Sequence, residues 1–164
     1  MLEYDQILLL QHRMHDSKRL FDSTFHRLIG RWGLTENVFR ILYLLYANPE
    51  GVEPAKLAEL ANLLRPAICP ILNKLDRHKL IVRKEQSGDH RRKLITLTEK
   101  GERFVRKVQA GCLEVEGRAF AHFSPDEITN LTALFSRYTQ CLLEEVKASE
   151  VTGKRENIES FVED

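Results

Sequence analysis

The chain has 164 residues, of which 43% are hydrophobic and 30% are charged, and its formal net charge is +1. This composition is that of a globular domain with extensions. No apolar run approaches the roughly 20 residues of a membrane-spanning helix, and the start MLEYDQILLLQHR lacks the basic region and cleavage site of a signal peptide. We therefore expect a cytoplasmic protein with no membrane partner.

Cysteine spacing and the lack of catalytic motifs narrow the class of protein. Cys69, Cys112 and Cys141 are odd in number and widely spaced, which does not fit a disulfide framework or a zinc ribbon. The sequence has no phosphate-binding glycine loop, no Gly-x-Ser-x-Gly and no His-Glu-x-x-His motif. We expect neither an enzyme nor a cofactor.

The small net charge conceals a basic centre. Between Arg65 and Lys107 the chain has 13 of its 25 Lys and Arg residues but 5 of its 24 Asp and Glu residues, which gives a local charge of +8 and leaves −7 elsewhere. A basic centre between acidic flanks favours a polyanionic partner, although an ordinary solvated face has the same composition.

Hydrophobic periodicity predicts four helices, a β-hairpin and two further helices. The predicted helices cover 4–29, about 35–46, 54–64, 65–79, 99–122 and 125–148, and the predicted strands cover 81–86 and 93–98. Thr35 and Thr98 stand where helix N-caps are expected. Ser124 and Glu127 have the spacing of a capping box.

The hairpin tip concentrates cations. The stretch SGDHRRKLITLT, residues 87–98, brings three consecutive cations close to Asp89. Two short helices joined by a tight turn and followed by a hairpin form the winged helix-turn-helix arrangement. The wing of that arrangement lies against the DNA backbone or in the minor groove, which explains its cations.

Four segments carry a resemblance to a known family: LTENVFRIL (34–42), LAELANLLRPAI (57–68), LDRHKLIVR (75–83) and DHRRKLITLTEKG (89–101). They resemble the MarR-type transcription regulators, and the match extends over roughly residues 8–147. The family's wing has Asp-x-Arg before a strand that ends in Leu-Thr-x-x-Gly, and the matching residues here are Asp89, Arg91, Leu97, Thr98 and Gly101. The Leu-Arg-Pro-Ala stretch is similar to the homoprotocatechuate regulator-like subgroup, which controls the catabolism of aromatic acids.

The resemblance implies a mainly α fold with a small β-hairpin, in which a winged helix-turn-helix is flanked by N- and C-terminal dimerisation helices. The implied divisions are an N-terminal dimerisation helix (1–33), the DNA-binding region (34–100), C-terminal dimerisation helices (101–148) and a polar acidic tail (149–164). Candidate dimer contacts, part of which must also close the monomer core, are Leu8, Leu9, Leu10, Leu131, Leu134, Phe135 and Leu142. A homodimer would present two wings to a pseudo-palindromic site on double-stranded DNA.

The resemblance also implies a set of DNA contacts. In the wing, Arg91 suits a narrow minor groove, and Asp89 would hold an arginine or cap the turn. Arg92 and Lys93 would meet phosphates, with ordinary surface charge as the alternative. On the recognition helix the candidates are Arg65, Asn73, Lys74 and Arg77, with Ala67 and Cys69 placed to touch thymine methyl groups. We expect Arg65 to be the main base contact.

Two residues depart from the family's pattern. The family usually has glycine where this chain has Lys79, so Lys79 either adopts a positive φ or ends its helix differently. Pro70 replaces a residue that is commonly polar or basic. Because proline lacks an amide hydrogen, either the recognition helix begins near Pro70 or its first turn is distorted.

Family members often bind small aromatic acids between the dimer region and the winged domain. The candidate residues for a small aromatic carboxylate effector are His15, Arg19, His26, Trp32 and Arg40. A carboxylate paired with Arg or His, with its ring against Trp32, is chemically reasonable. Each residue also has a simpler role, because Trp32 could close a loop, Arg40 could join two helices and His15 could be solvated.

Two alternatives stay open at this point, and a metal site is a third that the sequence does not favour. Cys69 at the start of the recognition helix would make a redox-responsive regulator if its pKa were lowered, whereas Cys112 and Cys141 fit an inert core. The winged domain could bind protein instead of DNA. His12 and His15 have the spacing of half a metal site, but no second His or Cys cluster accompanies them, so we expect no metal.

Overall fold

The computed structural model describes residues 3–86 and 89–152, with the side chains of 85–86, 89–92 and 151–152 excepted. Its elements are α1 (Tyr4–Gly30), α2 (Glu36–Ala47), α3 (Pro54–Leu60), α4 (Arg65–Arg77), β1 (Ile81–Gln86), β2 (Asp89–Leu97), α5 (Glu99–Phe120) and α6 (Pro125–Thr152). The chain divides into two compact units, Met1–Val115 and Glu116–Asp164. This order confirms the predicted mainly α fold with a small β-hairpin.

The core of the first unit is formed by the winged region. Its fully buried side chains come mainly from α2, α3, α4 and the hairpin, and the largest of them are Ile29, Ile41, Leu42, Leu45, Leu57, Leu72, Leu75, Ile95 and Val108. In α1 only Ile29 is buried among the described residues. The long first helix therefore contributes little to the core that the rest of this unit encloses.

The third helix ends earlier than predicted. It stops at Leu60 because Asn62 adopts a φ of 53°. The amide of Asn62 donates to the carbonyl of Glu59 (2.9 Å) and that of Leu63 to Ala58 (2.8 Å), which is a Schellman cap. The predicted extension to residue 64 was wrong because a local cap overrides the apolar run.

Pro70 lies inside a continuous recognition helix, which excludes the first of the two alternatives considered for it, a helix that begins near Pro70. α4 starts at Arg65, and a proline occupies its first turn, where an amide hydrogen has no helical partner. Pro70 removes only the helical bond to the carbonyl of Pro66. The first turn is tightened by a shorter-range bond from the amide of Ala67 to the carbonyl of Leu64 (2.9 Å).

Lys79 adopts the left-handed conformation that glycine usually supplies. Its φ is 57°, and the amides of Lys79 and Leu80 donate to the carbonyls of Asp76 (2.7 Å) and Leu75 (3.0 Å). The carbonyl of Lys79 accepts from Oγ1 of Thr98 (2.8 Å). The end of α4 thus has the same Schellman geometry as the end of α3, although the left-handed residue is lysine and not glycine.

We expect Lys79→Gly to raise the free energy of unfolding by about 0.5–1 kcal/mol, because a side chain at positive φ is strained. Chemical denaturation would measure the change. Asn62→Gly is the matched control and should be nearly neutral, because asparagine tolerates this conformation. Equal effects of the two substitutions would contradict the explanation.

The hairpin pairs β1 with β2 in antiparallel register. Ile81 lies opposite Leu97 and Arg83 opposite Ile95, and the register shifts between Glu85 and Gln86. Val52 adds a short bridge to β2, since its amide and carbonyl both bond to Ile95 (3.0 and 2.9 Å). The base of the wing is therefore anchored in the core, where Ile95 is fully buried.

The two capping predictions for the last helices are confirmed, whereas Thr35 occupies its N-cap position without a side-chain bond. Oγ1 of Thr98 accepts the amide of Gly101 (3.0 Å). Ser124 and Glu127 form the reciprocal bonds of a capping box, and those bonds lower the pKa of the Glu127 carboxyl.

The last helix extends further than predicted. α6 continues to Thr152, so residues 149–152 of the segment predicted as a tail are helical. Residues 153–164 lie outside the described residues. None of the described side chains of α6 is buried.

Candidate nucleic-acid interface

The recognition helix has two distinct faces. Ile68, Leu72 and Leu75 are buried in the core. The six predicted contact residues of this helix are all exposed, and they are Arg65, Ala67, Cys69, Asn73, Lys74 and Arg77. Helical periodicity thus separates the packing residues from those available to a partner.

Asn73 and Arg77 are engaged in hydrogen bonds within the protein. Nε of Arg77 donates to the main-chain carbonyl of Asn73 (3.4 Å). Nη2 of Arg83, on β1, donates to Oδ1 of Asn73 (2.7 Å), and Nε of Arg83 lies 3.6 Å from Oδ2 of Asp76. We call these three side chains, Asn73, Asp76 and Arg83, the helix–wing contact. The role of Arg83 was not identified from the sequence, although the residue lies in one of the four matching segments.

The wing residues lie on β2. Asp89, Arg91 and Arg92 belong to the described backbone of this strand, but their side chains are outside the description. Lys93 is exposed, and its main chain lies opposite that of Glu85 in the hairpin register. The hairpin and the exposed face of α4 belong to the same compact unit, which also holds the basic centre.

Three of the five effector candidates line one surface depression. His15, Arg19 and His26 border a shallow depression of about 430 Å³ on α1, together with Lys18, Asp22, Ser23 and Glu36. Lys18 pairs with Asp22, and Nη2 of Arg19 bonds Oδ1 of Asp16 (3.1 Å). Lys18 and Asp22 were missed, although their spacing of three and seven residues from His15 places them on the same helix face.

Arg40 lies in a second depression of about 260 Å³. The other residues that line this second depression are Phe21, Asp22, Phe25, Glu36, Phe39 and Tyr43. Asp22 and Glu36 also line the first depression. Nη1 of Arg40 donates to the carbonyl of Ala61 (2.8 Å), which joins α2 to the end of α3. This bond is the simpler role considered for Arg40.

Trp32 lies apart from both depressions. It is half-buried against the core, and a Cβ atom built on Gly111 would approach its ring within 2.5 Å. The guanidinium of Arg31 lies 5.7 Å from the ring centroid. Trp32 therefore closes the loop between α1 and α2 against α5.

Large apolar side chains are exposed on α1 and on α6. All seven candidate dimer contacts belong to this exposed set, from Leu8 (37% exposed) to Phe135 (64%). None of the seven is buried, so the expectation that some of them also close the monomer core was wrong. Such a content of exposed apolar residues is typical of a surface that contacts another protein.

The cysteines and histidines form no cluster among the described residues. Cys69 is exposed and Cys112 is buried, as their patterns indicated, but Cys141 is exposed, so its interpretation as core was wrong. Within residues 3–86 and 89–152, no three His, Cys, Asp or Glu side chains come together as metal ligands. No helix in this part of the chain is long and apolar enough to cross a membrane.

Comparisons with known proteins agree with this geometry. A model of the MarR family matches residues 32–92. The homoprotocatechuate degradative operon repressor of Escherichia coli is 29% identical over 116 residues, which cover 71% of this chain and 78% of that protein. The crystal structure of a MarR family transcription regulator has the same fold, with a TM-score of 0.77 and 23% identity over 87% of this chain and 94% of that one.

A further solved structure, NadR in complex with 4-hydroxyphenylacetate, is 25% identical over 84% of this chain and 93% of that one, with a TM-score of 0.61. The fold, the exposed cations of α4 and these sequence relatives together indicate a winged helix DNA-binding transcription regulator. Over residues 32–92 the chain is similar to members of the MarR family. These relatives are named as a repressor and a transcription regulator.

Proposed function

We propose that the chain is a cytoplasmic repressor that binds a pseudo-palindromic operator as a homodimer and is released by a small aromatic carboxylate. The observation that carries the proposal is the division of α4, which buries its apolar residues and exposes Arg65, Lys74 and Arg77 beside the wing. Exposed cations on a helix of this kind suit phosphate and base-edge contacts in a major groove.

The homodimer is supported by the apolar residues exposed on α1 and α6. A lone chain would leave these side chains in water, whereas a second copy can cover them around a two-fold axis. Two copies would present two recognition helices, which requires an operator with two related half-sites.

The effector is supported by the depression on α1 and by two relatives. His15, Arg19 and His26 place a guanidinium and two imidazoles around one opening, and their N–H groups can donate hydrogen bonds to a carboxylate. The E. coli relative is named for a homoprotocatechuate operon, and NadR was solved with 4-hydroxyphenylacetate. Both names refer to hydroxylated phenylacetates, and we propose the same chemical class for this chain.

The test is a fluorescence anisotropy titration with duplex DNA from upstream of the chain's own gene, repeated with a scrambled duplex over a salt series. We expect the native duplex to bind more tightly, with a steep negative salt dependence. Arg91→Ala should weaken binding roughly 10- to 100-fold if Arg91 enters the minor groove. Arg137→Ala on α6 is the control and should change little, although it removes the same charge.

The same titration tests release by 4-hydroxyphenylacetate and other aromatic acids, and Arg19→Gln should reduce their effect. Equal binding of the native and scrambled duplexes at physiological salt, with no effect of Arg91→Ala, would contradict the operator proposal. Full retention of DNA binding with every aromatic acid would contradict the effector proposal alone.

A further inference from the structure

The helix–wing contact determines which hydrogen-bonding group Asn73 can offer to DNA. The inference rests on the proposed function, since it requires the exposed face of α4 to lie in a major groove. Asn73 is an exposed residue of that face, and its side chain is held by Arg83 from the neighbouring strand at 2.7 Å.

Chemistry decides the orientation of the Asn73 amide. A guanidinium has five N–H donors and no acceptor, so only Oδ1 of Asn73 can face Arg83. The opposite orientation would bring two donors together. The two hydrogens on Nδ2 are therefore the groups that Asn73 keeps available for another partner.

Arg83 is itself held in place from two directions. Its main chain pairs with Ile95, which is fully buried in the core. Its Nε lies 3.6 Å from Oδ2 of Asp76, one helical turn beyond Asn73 on α4. The guanidinium is about one-third exposed, so the ion pair adds little stability, but the two anchors restrict its direction.

We propose that Arg83 is a positioning residue that makes Asn73 a hydrogen-bond donor in the major groove, selective for an acceptor on guanine or thymine. Asparagine pairs with adenine in a bidentate manner when Oδ1 accepts from N6 and Nδ2 donates to N7. Here Oδ1 is already bonded to a cation, which repels the amino group of adenine. Adenine N7 is also an acceptor, but it stands beside the N6 amino group that the Arg83 cation repels, whereas guanine N7 and O6 and thymine O4 need only the free Nδ2 hydrogens.

The test is selection from randomised duplexes by the full chain, followed by measurement of relative affinity for each base at each position. Asn73→Asp keeps an acceptor for Arg83 but removes the Nδ2 donors, so the position where its base preference disappears is the one that Asn73 reads. Arg83→Met removes the anchor, and Arg83→Lys retains one donor. Lys84→Met is the matched control, because Lys84 is the next exposed cation on β1.

We expect the unmodified chain to prefer guanine or thymine at that position by roughly 5- to 10-fold, the value of one hydrogen bond. Arg83→Met should reduce the preference below about 2-fold, whereas Arg83→Lys should retain most of it. Lys84→Met should lower the affinity for all duplexes equally and leave the preference unchanged.

Three results would overturn the inference: the same base preferences in Arg83→Met as in the unmodified chain, a preference for adenine at the Asn73 position, or no change in Asn73→Asp. These results leave the proposed function intact, since the unmodified chain still selects a sequence. If the unmodified chain selects no common sequence, the proposed function is wrong and the inference falls with it.

Discussion

Replacing Gly101 with alanine should destabilise the winged region by about 3 kcal/mol, the upper part of the usual range for overpacking. In a chain of this length that corresponds to a fall in Tm of roughly 6–12 °C. A substitution of glycine by alanine inside a helix is usually stabilising by about 1 kcal/mol, whereas here we expect destabilisation.

The reason lies in the packing of α5 against the turn between α4 and β1. A Cβ atom on Gly101 would lie 2.0 Å from the carbonyl oxygen of Leu80 and 3.3 Å from a methyl group of Leu97. The Leu80 carbonyl also accepts the amide of Thr98 (3.0 Å), so it cannot move without breaking that bond. The closest contacts are with main-chain atoms of Leu80, so rotating a side chain cannot relieve the clash.

Gly117→Ala is the matched control for this prediction. Gly117 belongs to the same helix, α5, but nothing lies within 4 Å of a Cβ atom placed there. We expect it to leave Tm unchanged or to raise it slightly through helix propensity. Thermal unfolding followed by circular dichroism compares the two variants, and similar Tm values would contradict the role of the Leu80 contact.

The second large effect concerns Leu134→Asp, which should convert the proposed homodimer into monomers. Leu134 is 63% exposed on α6 and lies on a helical stripe with Leu131, Phe135 and Tyr138. Placing a carboxylate in an apolar contact costs several kcal/mol when it has no partner. Because the substitution would occur once in each copy, a two-fold interface would contain it twice.

Light scattering at micromolar concentration would measure the mass of each variant. Leu60→Asp is the control, since Leu60 is 45% exposed on α3 and should leave the mass unchanged. Loss of the dimer should also weaken operator binding, because one recognition helix then reaches a single half-site. An unchanged mass in Leu134→Asp would remove this stripe from the interface, and a monomeric unmodified chain would contradict the homodimer itself.

Local signals in the sequence were sufficient for the elements and their order. Helical periodicity identified all six helices of the described residues, and the caps at Thr98 and Ser124 were recognised because capping involves residues three positions apart. The end of α3 was predicted wrongly, because the helix stops at a left-handed turn formed by Asn62. Asparagine adopts that conformation only where the chain requires it, so the residue type alone did not indicate it.

The amphipathic face of α4 was likewise predictable, because burial on a helix repeats with its pitch. The exposed positions from Arg65 to Arg77 follow from the buried positions of Ile68, Leu72 and Leu75. A single sequence therefore determined the fold class and the exposed face of α4.

Only the tertiary structure decided how these elements meet. The bond between Arg83 and Asn73 joins residues ten positions apart, Gly101 lies against Leu80, and Trp32 lies over Gly111. None of these pairs has a spacing that helix or strand periodicity would bring together. Each depends on the packing of two elements around the shared core, and that packing is set by many side chains at once.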